Sequence, residues 1–166
     1  MRGAANFSGF ETIRMGMEIA QREHRFFATL ARKTRSEPLR EIFSGMAQEA
    51  IRLYRALRAR LGEFSDEGFW DDEEEILPYL QRLPDDLFHA ANAVRERLGT
   101  LSSDQQALAL AIEVEDYLAA YFSRAAGEST HAEGREVFDW LAQTKERQAR
   151  ALRERQVRLV VGREAG

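Results

Sequence analysis

The chain contains no cysteine. Disulfides, thiol catalysis, cysteine-ligated zinc and cysteine-ligated iron are all excluded by that absence. It has three prolines in 166 residues, so little interrupts helix formation. No apolar run approaches the roughly 20 residues needed to span a bilayer, and "MRGAANFSGFE" at the N-terminus lacks the apolar core of a signal peptide. These absences imply a soluble, cytoplasmic protein. An excess of one charge is also missing. The net charge is −4 with 31% charged residues, so acids and bases are intermixed. A nucleic-acid partner calls for a concentrated basic face, and none is present.

What is present is a repeat. Shifting the sequence by 95 residues aligns 17–60 on 112–155 without a gap, with 14 of 44 positions identical. The matches include Glu18/Glu113, Phe27/Phe122, Arg40/Arg135, Phe43/Phe138 and Ala47/Ala142, and "RALR" occurs at both 55–58 and 150–153. Two converged amphipathic helices are the alternative, but a gap-free register across a turn favours duplication. Each unit reads as a helix, a short turn and a second helix. Ser8 with Glu11 and Ser102 with Gln105 carry capping-box spacing for the first helix of each unit, and Thr130 with Glu133 does so for the last helix. Ser36-Glu37-Pro38 starts the second helix, so the first should end near Thr34; the third should end near Gly127.

The predicted organisation is one all-α domain over 1–166. Repeat unit one spans about 9–62, a crossover spans 63–102, and repeat unit two spans about 103–161. The crossover begins acidic, "FSDEGFWDDEEE", which reads as a solvated loop. It then carries a short helix, "PDDLFHAANAVRERLG", with an apolar face of Leu87, Ala91, Val94 and Leu98 and a terminal Gly99. Two helix pairs joined by one long crossover describe a ferritin-like four-helix bundle.

Three-four spacing assigns inward stripes to the four long helices. The first reads Ile13, Met17, Ala20, His24, Phe27, Ala31, and the second Leu39, Phe43, Met46, Ala50, Leu53, Leu57. The third reads Leu108, Ile112, Glu115, Ala119, Phe122, Ala126, and the fourth Phe138, Leu141, Lys145, Gln148, Leu152. Glu18 and Glu113 fall beside the stripes. A register moved by one residue would instead turn Glu18, Glu49 and Glu113 inward.

The paired stretches "MEIAQREHRFF" and "IEVEDYLAAYF", followed by "IFSGMAQEAIRLY" and "VFDWLAQTKERQA", resemble the rubrerythrin branch of the ferritin-like superfamily across nearly the whole chain. The resemblance implies a di-iron core, with one Glu from the first helix of each pair and Glu-x-x-His from the second. Carried onto this sequence, those positions fall on Ala20, Ala50 and Leu53 in unit one and on Glu115, Lys145 and Gln148 in unit two. Only Glu115 keeps the expected ligand type. The rubredoxin-like domain of full rubrerythrins is absent too, since it needs cysteines.

Two functional readings follow. In the first, the di-iron site is degenerate, no cofactor is expected, and Lys145 is an internal cation in place of metal, paired with Glu115 and hydrogen-bonded to Gln148. The protein is then a non-catalytic structural or regulatory one, acting through its surface. In the second, it is a non-haem iron oxidoreductase or peroxidase with a rearranged site from Glu115, His24 and Glu49. His89 and His131 read as surface residues, and Trp70 and Trp140 as interface or core anchors. The resemblance, with surplus apolar surface at Ile13, Met15, Met17 and Ile19, predicts a homodimer. No membrane partner is expected.

Overall fold

The computed structural model describes residues 9–62 and 85–164, with side chains over 9–62 and 92–159. Five helices make up these segments: α1 (Gly9–Lys33), α2 (Glu37–Leu61), α3 (Asp85–Gly99), α4 (Asp104–Glu128) and α5 (Ala132–Glu164). No strand occurs among the described residues. No described helix is long and apolar enough to cross a membrane. The acidic part of the crossover, Trp70 and Ser8 lie outside the described residues, as do the side chains of Leu87, His89 and Ala91.

The helix boundaries follow the local signals closely. α1 stops at Lys33, and Thr34 closes its last turn by donating from both N–H (3.0 Å) and Oγ1 (2.6 Å) to the Leu30 carbonyl. α3 ends at Gly99, as the terminal glycine predicts. The cap of α4 falls one residue later than expected. Ser103 is the N-cap and accepts from the Gln106 N–H at 3.1 Å, while Gln106 Oε1 accepts from the N–H and hydroxyl of Ser102. The sequence "SSDQQ" offers the S-x-x-Q spacing in both registers, so spacing alone could not choose between them.

The main packing is α1 on α2, α4 on α5 and α1 on α5, with α3 lying on α4. Polar contacts fix which ends meet. Asp104, in the first turn of α4, accepts from the N–H groups of Arg35 (3.0 Å) and Ser36 (2.8 Å) in the α1–α2 turn. Lys33 donates to the Leu98 carbonyl at the end of α3, 2.7 Å away. At the opposite end, Arg60 near the end of α2 donates to Glu136 in α5 (3.1 Å) and lies over the Trp140 ring.

The geometry of the two units repeats. Phe27 stacks on Phe43 at 6.4 Å and 28°, and Phe122 meets Phe138 at 6.3 Å and 31°. Phe26 meets Phe27 edge-on at 69°, and Tyr121 meets Phe122 at 68°. Arg40 donates to the Thr34 carbonyl, and Arg135 donates to the Ser129 carbonyl. Every one of these pairs is related by the 95-residue shift.

The apolar core forms two clusters. One gathers the early part of α1, the late parts of α2 and α4 and the early part of α5, around Ile13, Leu57, Phe122, Phe138 and Leu141. The other gathers the opposite ends, around Phe27, Leu30, Phe43, Leu108, Leu110 and Leu152. Gly16 allows α1 to approach closely. A Cβ there would meet a Leu57 methyl at 3.1 Å and a Leu141 methyl at 3.2 Å.

α1 is covered on more sides than its single predicted stripe requires. Ile13, Met15, Met17 and Ile19 are all buried within one chain. Tyr121 of α4 reaches Met15 with an Oη–Sδ distance of 3.8 Å. The surplus apolar surface that pointed to a homodimer is therefore used inside the protein. The large apolar side chains left exposed among the described residues are Tyr117 and Val157, on different helices.

Candidate functional site

Between the two apolar clusters lies a layer of charged side chains. Glu115 on α4 and Lys145 on α5 both face inward, at 0% and 1% exposure, where the helical periodicity put them. The third member is Glu23 on α1, at 4% exposure. Ala20 and Ala50 are buried nearby on the helical stripes, and Leu53 belongs to the first apolar cluster.

Lys145 is the hub. Its Nζ donates to Glu23 Oε2 at 2.5 Å and to Gln148 Oε1 at 3.0 Å. Glu115 Oε2 lies 3.8 Å from Nζ, near enough for strong Coulomb attraction but beyond hydrogen-bonding distance. The predicted Glu115–Lys145 pair is thus present but is not the closest one; Glu23 takes the short contact. The predicted bond to Gln148 is present. Gln148 is half-buried, so the layer opens toward the surface on that side alone of its four named members.

The charge states follow from burial. Burial pushes the Glu115 carboxyl up to about 8; Lys145 opposes the rise, and the charges of Glu23 and Asp116 add to it. Burial also works against the Lys145 ammonium, but Glu23 and Glu115 outweigh it and hold its pKa above the ordinary lysine value. Lys145 is therefore a cation over the whole physiological range, not a nucleophilic amine.

His24 is not in this layer. It is half-buried, and its Nδ1 donates to the Ala47 carbonyl at 3.0 Å. With Arg32, Arg40, Ala47 and neighbouring residues it lines an open groove of about 330 Å³ between α1 and α2. Glu49 is exposed and paired with Arg52. Glu18 flanks the stripe and bonds Arg22 at 3.0 Å, and Glu113 is exposed and paired with Arg97. His131 is exposed, and Trp140 is half-buried against the first cluster. The second possible ligand set, Glu115, His24 and Glu49, is not brought together. Among the described residues no three His, Asp or Glu side chains are grouped closely enough to hold a metal ion.

Glu23 is the member that sequence reasoning missed. From Ala20 the stripe can continue to His24 or to Glu23, since both steps fit helical spacing. The imidazole is the cheaper group to bury when no counter-charge is considered. Lys145 was the signal: one inward ammonium can support a second inward carboxylate. The 95-residue shift sets the two inward carboxylates side by side. Unit one has Ala20 and Glu23 where unit two has Glu115 and Leu118. Both units keep one inward carboxylate, displaced by one helical turn.

The donor set does not fit a di-iron centre. An ammonium occupies the position where the resemblance places a carboxylate ligand, and Ala20, Ala50 and Leu53 offer no ligand atom. No protein-family model, curated protein or solved structure matches this chain.

Proposed function

We propose that this protein is a ferritin-like bundle of the rubrerythrin type whose di-iron site has become a salt-bridged polar layer, and that it is a non-catalytic structural or regulatory protein. The observation that carries the reading is Lys145. Its buried ammonium sits at a position where the resemblance expects a metal ligand, and it bonds Glu23 and Gln148, with Glu115 at 3.8 Å. An internal cation there supplies the positive charge that metal would have supplied to the carboxylates.

Topology supports the ferritin-like part. Asp104 ties the start of α4 to the start of α2, and Arg60 ties the end of α2 to the start of α5. α2 and α4 therefore run in the same direction and do not form an antiparallel hairpin. The recurrence of ring and turn geometry at the 95-residue shift supports duplication of a helix pair. Nothing in the placement of His24 and Glu49 favours the iron oxidoreductase reading.

Metal analysis after anaerobic iron loading and desalting tests the proposal, using the parent and a variant carrying Ala20→Glu, Ala50→Glu, Leu53→His, Lys145→Glu and Gln148→His. The expected result is no stoichiometric iron in the parent and iron in the variant. Two tightly held irons per parent chain would overturn it. A folded variant that binds none would remove the ferritin-like basis.

A further inference from the structure

The polar layer holds more negative than positive charge. α1 contributes Glu23, α5 contributes Lys145 and the neutral Gln148, and the buried residues on the inward stripe of α2, such as Ala50 and Leu53, are uncharged. α4 contributes Glu115, with Asp116 beside it at the half-exposed edge, paired with Arg153. One ammonium thus serves two carboxylates. The side-chain exposures are 1% for Lys145, 5% for Glu23 and 0% for Glu115.

Hydrogen bonding is equally lopsided. Lys145 directs its bonds to Glu23 Oε2 and Gln148 Oε1. Among the described residues, neither oxygen of Glu115 nor Oε1 of Glu23 has a hydrogen-bond donor. A buried ionised carboxylate without donors, sharing its only cation with another carboxylate, loses more in hydration than it regains in attraction. Of the two, Glu23 has the short contact with the ammonium, so Glu115 is the one better served by becoming neutral.

We propose that Glu23, Glu115 and Lys145 form a buried proton-binding site, in which Glu115 holds the proton at neutral pH and Glu23 is the anion that pairs Lys145. The layer is then electrically neutral, and the folded chain carries one negative charge fewer than its composition implies. The direction in which burial moves the Glu115 carboxyl agrees. Loss of the proton in mildly alkaline solution leaves a net negative charge where α1, α4 and α5 meet. The site therefore makes the packing of those three helices sensitive to pH just above neutrality. The inference stands on the geometry of the layer and does not depend on the ancestry of the bundle.

Infrared spectra of the full chain from pH 5 to pH 10 test it, with Glu115→Gln and Glu23→Gln for assignment. The folded parent should show a protonated-carboxyl band at neutral pH that titrates away near pH 8 and is absent in Glu115→Gln. In Glu23→Gln the ammonium is left to Glu115 alone, so the midpoint should fall. Stability gives a second readout. Relative to Glu115→Gln, the parent's folding equilibrium should weaken by up to about tenfold per pH unit between about 4.5 and 8, then run parallel above. A carboxyl-labelled parent, observed by NMR, covers the case in which Glu115→Gln does not fold: one glutamate should titrate near 8. No protonated carboxyl at neutral pH, a band that survives Glu115→Gln, or glutamates that all titrate in the usual range would overturn the proposal.

Discussion

Lys145 and Glu23 join the last helix of the second unit to the first helix of the first, 2.5 Å apart across 122 positions of sequence. The bond lies inside the core and ties the first helix pair to the second.

Removing the cation should be costly. With Glu115 neutral, Lys145→Met leaves the buried Glu23 carboxylate without its counter-charge and should destabilise the protein by about 3–5 kcal/mol in urea denaturation at neutral pH. Combining it with Glu23→Leu and Glu115→Leu should recover most of the loss, because an apolar layer of similar volume has no charge to desolvate. A triple variant as unstable as Lys145→Met would argue that the charges add stability of their own.

The alkaline limb has a defined sign. Lys145 is held above its ordinary value of 10.5 by Glu23 and Glu115. Its stabilising contribution is complete below about 10.5 and is lost as pH rises through the higher folded value. Circular dichroism should show the parent losing stability in that range more steeply than the triple apolar variant. Equal slopes would show that Lys145 does not supply the alkaline sensitivity.

Asp104 holds the α1–α2 turn to α4. Asp104→Ala frees the N–H groups of Arg35 and Ser36 and removes an acid from the first turn of α4. A loss of about 1–2 kcal/mol is expected. Hydrogen exchange should quicken first at residues 35 and 36; unchanged exchange there would mean that the contact is not held in solution.

The two turns make a matched pair. Arg40→Ala and Arg135→Ala each remove a bond to the carbonyl that follows the preceding helix. Each should cost about 0.5–1.5 kcal/mol, and the double variant should be additive because the turns are in separate units. Markedly unequal costs would mean that the repeated geometry is not energetically equivalent.

Gly16 sets the spacing of α1. Gly16→Ala meets only the flexible ends of Leu57 and Leu141 and gains helix propensity, so the change should be within about 1 kcal/mol. Gly16→Leu pushes α1 away from both neighbours and should cost about 1–3 kcal/mol or more. A well-tolerated leucine would show that α1 can shift without loss.

The helices themselves were readable in the sequence because proline, glycine and apolar spacing mark their ends to within a residue or two. The short helix ending at Gly99 was readable for the same reason, as was the inward direction of Glu115 and Lys145. Three features were not. Periodicity cannot tell Glu23 from His24, since both lie within one helical face of Ala20. It also assigns α1 one buried stripe, whereas contact with α2, α4 and α5 together covers Met15 and Ile19 as well. The register of "SSDQQ" was decided by which serine the backbone presents to Gln106. The first two depend on distant neighbours; the third is a local choice between two serines that spacing alone leaves equal.

The long separation between Glu23 and Lys145 bears on how the chain is made. Synthesis delivers α1 and α2 first, with Glu23 already in place and its cation not yet translated. Among the described residues, the counter-charge of Glu23 in the finished core is Lys145, which arrives with α5. In the early hairpin Glu23 is therefore better served by contact with water or by holding a proton than by being ionised and buried.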